Sequence, residues 1–88
     1  MSPRHAGSWV VYMLACRDGS LYTGVTNELS RRLRAHAAGR GGAYTRARRP
    51  VRLVFVEGQE GRGAALRREA GLKRLSRAAK LALVGGWG

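Results

Sequence analysis

Acidic residues are scarce in this chain: five Asp and Glu stand against seventeen Lys and Arg in 88 residues. The five are scattered, which excludes a two-metal hydrolytic centre built on clustered carboxylates. Cysteine occurs once, at Cys16, so no disulfide framework can form within the chain. Lying in an apolar run, it reads as a small buried hydrophobe. Long hydrophobic stretches are missing too. The run from Trp9 to Cys16 is too short to cross a bilayer. The opening Met1-Ser2-Pro3-Arg4-His5 is polar and has no signal-peptide core, so the expected location is the cytoplasm. No long helix joins a basic face to a bulky apolar one, which argues against a membrane surface as partner. Neither an internal repeat nor a second domain is visible, and a chain this short supports one domain with a modest core.

What is abundant is arginine. Fifteen of the seventeen basic residues are Arg, and the formal net charge is +12. A guanidinium matches phosphate with two parallel donors, where lysine acts as a point charge. Such a surface attracts polyanions and binds nucleic acid without needing sequence.

Hydrophobic patterning predicts an α+β fold: a three-stranded antiparallel sheet flanked by helices, in the order β-β-α-β-α-α. Residues 1–8 read as a flexible tail and 9–84 as the domain. Trp9 to Cys16 is apolar on both parities and so predicts a central strand covered on both faces. Arg17-Asp18-Gly19-Ser20 is a hairpin turn, and Leu21 to Thr26 is its partner strand. Asn27 is the expected N-cap of a helix that runs to about Ala38 and stops at Gly39. Residues 40–50 read as a flexible basic loop, and Val51 to Glu57 as a third strand. Ala64 to Leu75 reads as a helix whose inward stripe is Leu66, Glu69, Ala70 and Lys73. Ser76 caps a last helix, Arg77 to Val84, and residues 85–88 form a tail.

Several side chains that carry chemistry fall at telling positions. Tyr12 and Tyr22 lie ten residues apart on the two hairpin strands. A two-residue loop would put their phenols on opposite faces. A three-residue loop, Asp18-Gly19-Ser20, pairs 16 with 22 and puts both on one face. Arg32 and His36 are four apart and share a helix face. Glu69 stands in the second long helix with Lys73 four residues on, and reads either as an ion pair or as a carboxylate for a hard divalent ion. In the basic loop, Tyr44, Arg46, Arg48 and Arg49 sit among glycines, which suits phosphate tracking and base stacking. Arg67 and Arg68 extend the basic surface, and Lys73 joins Tyr44, Arg46, Arg48 and Arg49 as a candidate nucleic-acid contact.

Singly, each feature has an ordinary structural explanation. Together, the order and spacing resemble the GIY-YIG nuclease superfamily, most closely its small stand-alone bacterial members. Val10-Val11-Tyr12 and Tyr22-Thr23-Gly24 are similar to the two signature triplets. The stretch on to Arg32 and His36, and later Ala65-Leu66-Arg67-Arg68-Glu69, match the rest of the pattern. Val10 stands where glycine is usual and Thr23 where isoleucine is. No asparagine follows Glu69, although several relatives carry one there. The resemblance implies a metal-dependent endonuclease acting on nucleic-acid phosphodiesters, DNA ahead of RNA, in repair or processing. It further implies that Glu69 holds one Mg²⁺ or Mn²⁺ and Arg32 stabilises the phosphate. Tyr22 would serve the attacking water with help from Tyr12, and His36 would orient a tyrosine. A non-catalytic nucleic-acid-binding domain of the same fold is the alternative. A homodimer or a targeting protein is a compatible partner.

Overall fold

The structure is a computed structural model, and it describes residues 8–87. Its elements are β1 (Trp9–Cys16), β2 (Leu21–Thr26), α1 (Leu29–Ala37), α2 (Ala43–Ala47), β3 (Val51–Gln59), α3 (Arg62–Lys73) and α4 (Arg77–Gly86). Strand β1 lies at the centre of an antiparallel sheet of order β2-β1-β3. Its two-sided apolar pattern has the expected cause: Val11, Tyr12, Met13 and Leu14 are all fully buried. Alternate residues point to opposite faces. Val11 and Met13 join Val54, Phe55, Ala65 and Leu72 in the core beneath α3, with Leu83 and Val84 of α4 packed against it. Tyr12 points to the other face, where it meets His36 of α1.

The β1–β2 hairpin has a three-residue loop, one position earlier than the sequence suggests. The Cys16 amide donates to the Ser20 carbonyl, and the Gly19 amide donates to the Cys16 carbonyl. Residues 17–19 are therefore the loop, closed by Gly19 at φ +87°, where a side chain would be strained. The register moves by two: Tyr12 faces Gly24 and Tyr22 faces Leu14. A shift of two preserves parity, so both phenols still share a face.

Other expectations need adjusting. The basic loop contains α2, a short helix absent from the predicted order. Glu28, not Asn27, is the N-cap of α1, and it makes no side-chain cap. The Thr26 hydroxyl instead accepts from the Glu28 amide at 3.0 Å. Ser76 does cap α4, accepting from the Ala79 amide at 3.1 Å. That helix runs on to Gly86, so the first two residues of the expected C-terminal tail are helical. The N-terminal tail, Ser8 apart, and Gly88 lie outside the described residues. Strand β3 pairs through a bulge opposite Met13 and Leu14, which leaves Val54 and Phe55 both buried. Arg68 is not free basic surface, because it holds Glu57 of β3 through two bonds of 2.7 and 3.3 Å.

The inward line of α3 is also displaced by one residue. Ala65 and Leu72 are its buried positions, while Leu66 is 38% exposed. Leu72→Ala should therefore cost about 2–5 kcal/mol of stability. Leu66→Ala should stay within about 1 kcal/mol. Urea denaturation of the two variants tests the assignment, and equal losses would overturn it.

Candidate functional site

Three elements meet at one buried imidazole. The Tyr12 hydroxyl lies 2.9 Å from His36 Nε2, and Thr45 Oγ1 lies 2.8 Å from His36 Nδ1. His36 is fully buried and Thr45 nearly so, and His36 is the one buried residue of α1. Burial pushes the Tyr12 phenol up to about 12, helped by the neighbouring Tyr22 and opposed by the Arg32 charge. Burial, then Arg32, lowers His36 below its ordinary value. At neutral pH both groups are thus uncharged. A phenol is the stronger donor of the two hydroxyls. We therefore assign Tyr12 as donor to Nε2, which leaves the His36 proton on Nδ1 facing Thr45.

Two glycines make room for this arrangement. A Cβ on Gly24 would stand 2.7 Å from the Tyr12 hydroxyl, so the strand position opposite Tyr12 accepts no side chain. A Cβ on Gly41 would collide with His36 Nδ1 and stand 2.6 Å from Cγ and Cε1. Gly41 and Thr45 went unnoticed in the sequence. Their only signal was their nearness to Tyr44 in the glycine-rich loop.

The remaining aromatics extend the cluster outward. The ring centroid of Tyr22 is 6.3 Å from that of Tyr12, 5.3 Å from His36 and 6.0 Å from Tyr44. Tyr44 is 41% exposed, and the Arg48 guanidinium lies 3.8 Å over its ring. Arg48 also donates to Asp18 Oδ2 at 3.0 Å and to the Tyr44 carbonyl at 3.1 Å. Arg49 donates to the carbonyls of Arg46 and Ala37, each at 3.3 Å. These two arginines build the loop. Arg46 is exposed.

Arg32 is exposed as well, yet its charge acts on both Tyr12 and His36. A groove of about 320 Å³ lies at its foot, between Thr26, Glu28 and Ala35. A larger groove, about 510 Å³, runs past Val10, Leu29 and Arg34 and touches none of the tyrosines. Glu69 approaches from α3. Its carboxylate is bound by Lys73 at 3.2 Å and its side chain is 19% exposed. Its charge still reaches the Tyr12 phenol, as the smallest of the influences there.

Among the described residues, no three of His, Cys, Asp and Glu come together as a metal-binding group. A divalent ion at Glu69 would thus have one protein carboxylate, with water and phosphate oxygens for the rest. That donor set fits Mg²⁺ or Mn²⁺. It does not fit zinc, which takes three or four protein ligands from Cys, His and carboxylates.

Comparison with known proteins bears on the family and the fold. The family model for the GIY-YIG catalytic domain matches residues 8–82. This chain belongs to the GIY-YIG family. A UPF0213 protein of Xanthomonas axonopodis is 50% identical over 74 residues, covering 84% of this chain and 72% of that protein. A UPF0213 protein of Natronomonas pharaonis is 48% identical over 79 residues, covering 90% and 93%. The solution structure of a UPF0213 protein from Bacillus halodurans aligns with a TM-score of 0.58 at 45% identity. It covers 89% of this chain and 83% of that one. A solution structure from E. faecalis gives 0.59 at 39% identity, covering 86% and 82%.

The GIY-YIG triplets acquire physical reasons here. Tyr12 and Gly24 belong together because the phenol of one occupies the side-chain space of the other. Thr23, in place of the usual isoleucine, buries a hydroxyl for which no hydrogen-bond partner is found. Removing that unpaired group should help, so Thr23→Val is expected to raise stability by about 1 kcal/mol. Thermal unfolding of the variant checks this, and a lowered midpoint would contradict it.

His36 sets a pH dependence. Its folded pKa is depressed, so below the usual imidazole value of ~6.5 the unfolded chain takes up a proton that the folded chain resists. The stabilisation is complete above that pH and is lost as the pH falls toward the folded value. Urea midpoints should drop as the pH falls below about 6.5 in wild type. They should drop less in His36→Gln, and parallel curves would refute the assignment.

Proposed function

We propose that this chain is a metal-dependent endonuclease that hydrolyses phosphodiester bonds of DNA. The observation that carries the reading is the exposed Arg32 guanidinium beside two phenols that share one sheet face and one buried imidazole. Arg32 has the charge and the reach to hold a non-bridging phosphate oxygen as negative charge grows on it. Tyr12 is no base, because burial keeps it protonated far above neutral pH. Its part is to anchor the site through His36. Tyr22 is half-buried and opens onto a groove, so it is the phenol that can position the attacking water. Glu69 would hold the single Mg²⁺ or Mn²⁺. When bound, such an ion supplies charge neutralisation at the phosphate and at the leaving oxygen.

The Glu69–Lys73 ion pair favours a rival reading, a binding domain that keeps the fold without turnover. The two differ at this carboxylate. Supercoiled plasmid and short branched DNA incubated with Mg²⁺ or Mn²⁺ should be cut by wild type. Arg32→Ala and Glu69→Gln should each lose about a hundredfold or more in rate, while Glu69→Gln keeps its DNA affinity. Equal cutting by all three proteins would sink the site assignment. Tight, salt-sensitive binding without any cleavage would favour the rival.

A further inference from the structure

A second groove lies on the outer side of Tyr22, lined by Leu21, Tyr22, Thr23, Tyr44, Lys73 and Lys80, with a volume of about 310 Å³. From this groove we infer that the protein takes an unpaired DNA strand and seats one of its bases against Tyr44. The inference rests on the nuclease reading and adds the form of the substrate to it.

The walls and the size agree with one nucleotide. The volume lies at the small end for ligand pockets, so it suits a nucleoside and not a duplex. Leu21 and the two tyrosine rings make the apolar wall. Lys80 is half-buried, and its ammonium makes no ion pair or hydrogen bond with the described residues, which leaves it for a phosphate. Lys73 lines the same groove and binds Glu69 at 3.2 Å. A nucleotide seated here would therefore lie next to the carboxylate assigned to the metal.

The platform is also held in advance. Arg48 covers part of the Tyr44 ring at 3.8 Å and is itself fixed by Asp18 and by the Tyr44 carbonyl. A ring pinned in this way loses little freedom when a base packs on it, and 41% of the residue is still exposed. Exposed aromatics beside lysines recognise unpaired strands, because every base has a stackable face. In a duplex those faces are already stacked and hidden. Nothing in the groove reads base edges, so the preference is for unpaired structure and not for sequence.

The test is fluorescence anisotropy in EDTA with the full chain. Its probes are a labelled dT oligomer of about ten nucleotides and a duplex of the same length at the same salt. The unpaired oligomer should bind about tenfold tighter or more. Tyr44→Leu should weaken binding of the unpaired oligomer roughly five- to a hundredfold, as expected for one lost base stack, and reduce the preference with it. Tyr44→Phe should keep it, which separates the ring from its hydroxyl. Lys80→Gln, on a different helix, should also weaken binding of the oligomer. Equal or tighter binding of the duplex would overturn the proposal. So would an unchanged preference in both Tyr44→Leu and Lys80→Gln. If that happens while cleavage sensitive to Arg32→Ala persists, the subsite falls and the nuclease reading stands. An oligomer preference without any metal-dependent cleavage would overturn the nuclease reading and leave the subsite.

Discussion

The imidazole of His36, closed off from water between the Tyr12 hydroxyl and Thr45, is the contact on which the site depends. Burying a ring with two polar nitrogens is costly unless both are bonded. Here they are, at 2.9 and 2.8 Å. The partners come from the central strand and from α2, while the ring comes from α1. The contact therefore fixes three elements relative to one another. It also explains why α2 exists in a segment that reads as loop. Thr45 must stand at a set height beneath His36, and one turn of helix holds it there. Gly41 follows from the same demand, since the chain passes where any side chain would strike the ring.

Charge is distributed with a similar economy. Four of the five acids each hold one basic partner: Asp18 holds Arg48, Glu28 holds Arg31, Glu57 holds Arg68, and Glu69 holds Lys73. Exposed pairs contribute little stability on their own. Their effect is to decide which cations are fixed and which stay available. Arg48 and Arg68 are tied down, one supporting a loop and the other joining α3 to β3. Arg32 and Arg46 are left exposed on the surface. With so few acids, the positive field over the tyrosine face is barely compensated, which favours a polyanion there.

Much of this was legible in the sequence, for physical reasons. Two-sided burial of β1 shows directly as an unbroken apolar run. The Ser76 cap shows as a hydroxyl ahead of a helix. The shared face of Tyr12 and Tyr22 follows from the three-residue loop, one of the two lengths the sequence allows, and is unaffected by the shift of two residues in register. The position of that loop was harder to read, because αL glycine at its third place is a geometric choice between adjacent frames. The inward line of α3 was misread because Leu66 is more apolar than Ala65, although packing space and not hydropathy decides which of them faces the sheet. Thr45 and Gly41 were hidden because their partner is nine and five residues away on a different helix, a proximity that only the folded chain creates.

The two tyrosines illustrate how one motif yields two kinds of group. Both are phenols on one face, with ring centroids 6.3 Å apart. Tyr12 is fully buried and faces a glycine. Burial raises its pKa to about 12 and leaves it a permanent hydrogen-bond donor. Tyr22 lies on β2, at the edge of the sheet, and faces Leu14 of β1; it is half-buried and lines a groove with Tyr44. Strand position does not decide this by itself, since Thr23 and Thr26 of the same edge strand are buried; what covers each face does. A pair of identical side chains is thereby divided into a rigid anchor and an accessible group without any added residue. On the proposed reading this division gives the placing of the attacking water to Tyr22, because the Tyr12 hydroxyl is committed to His36.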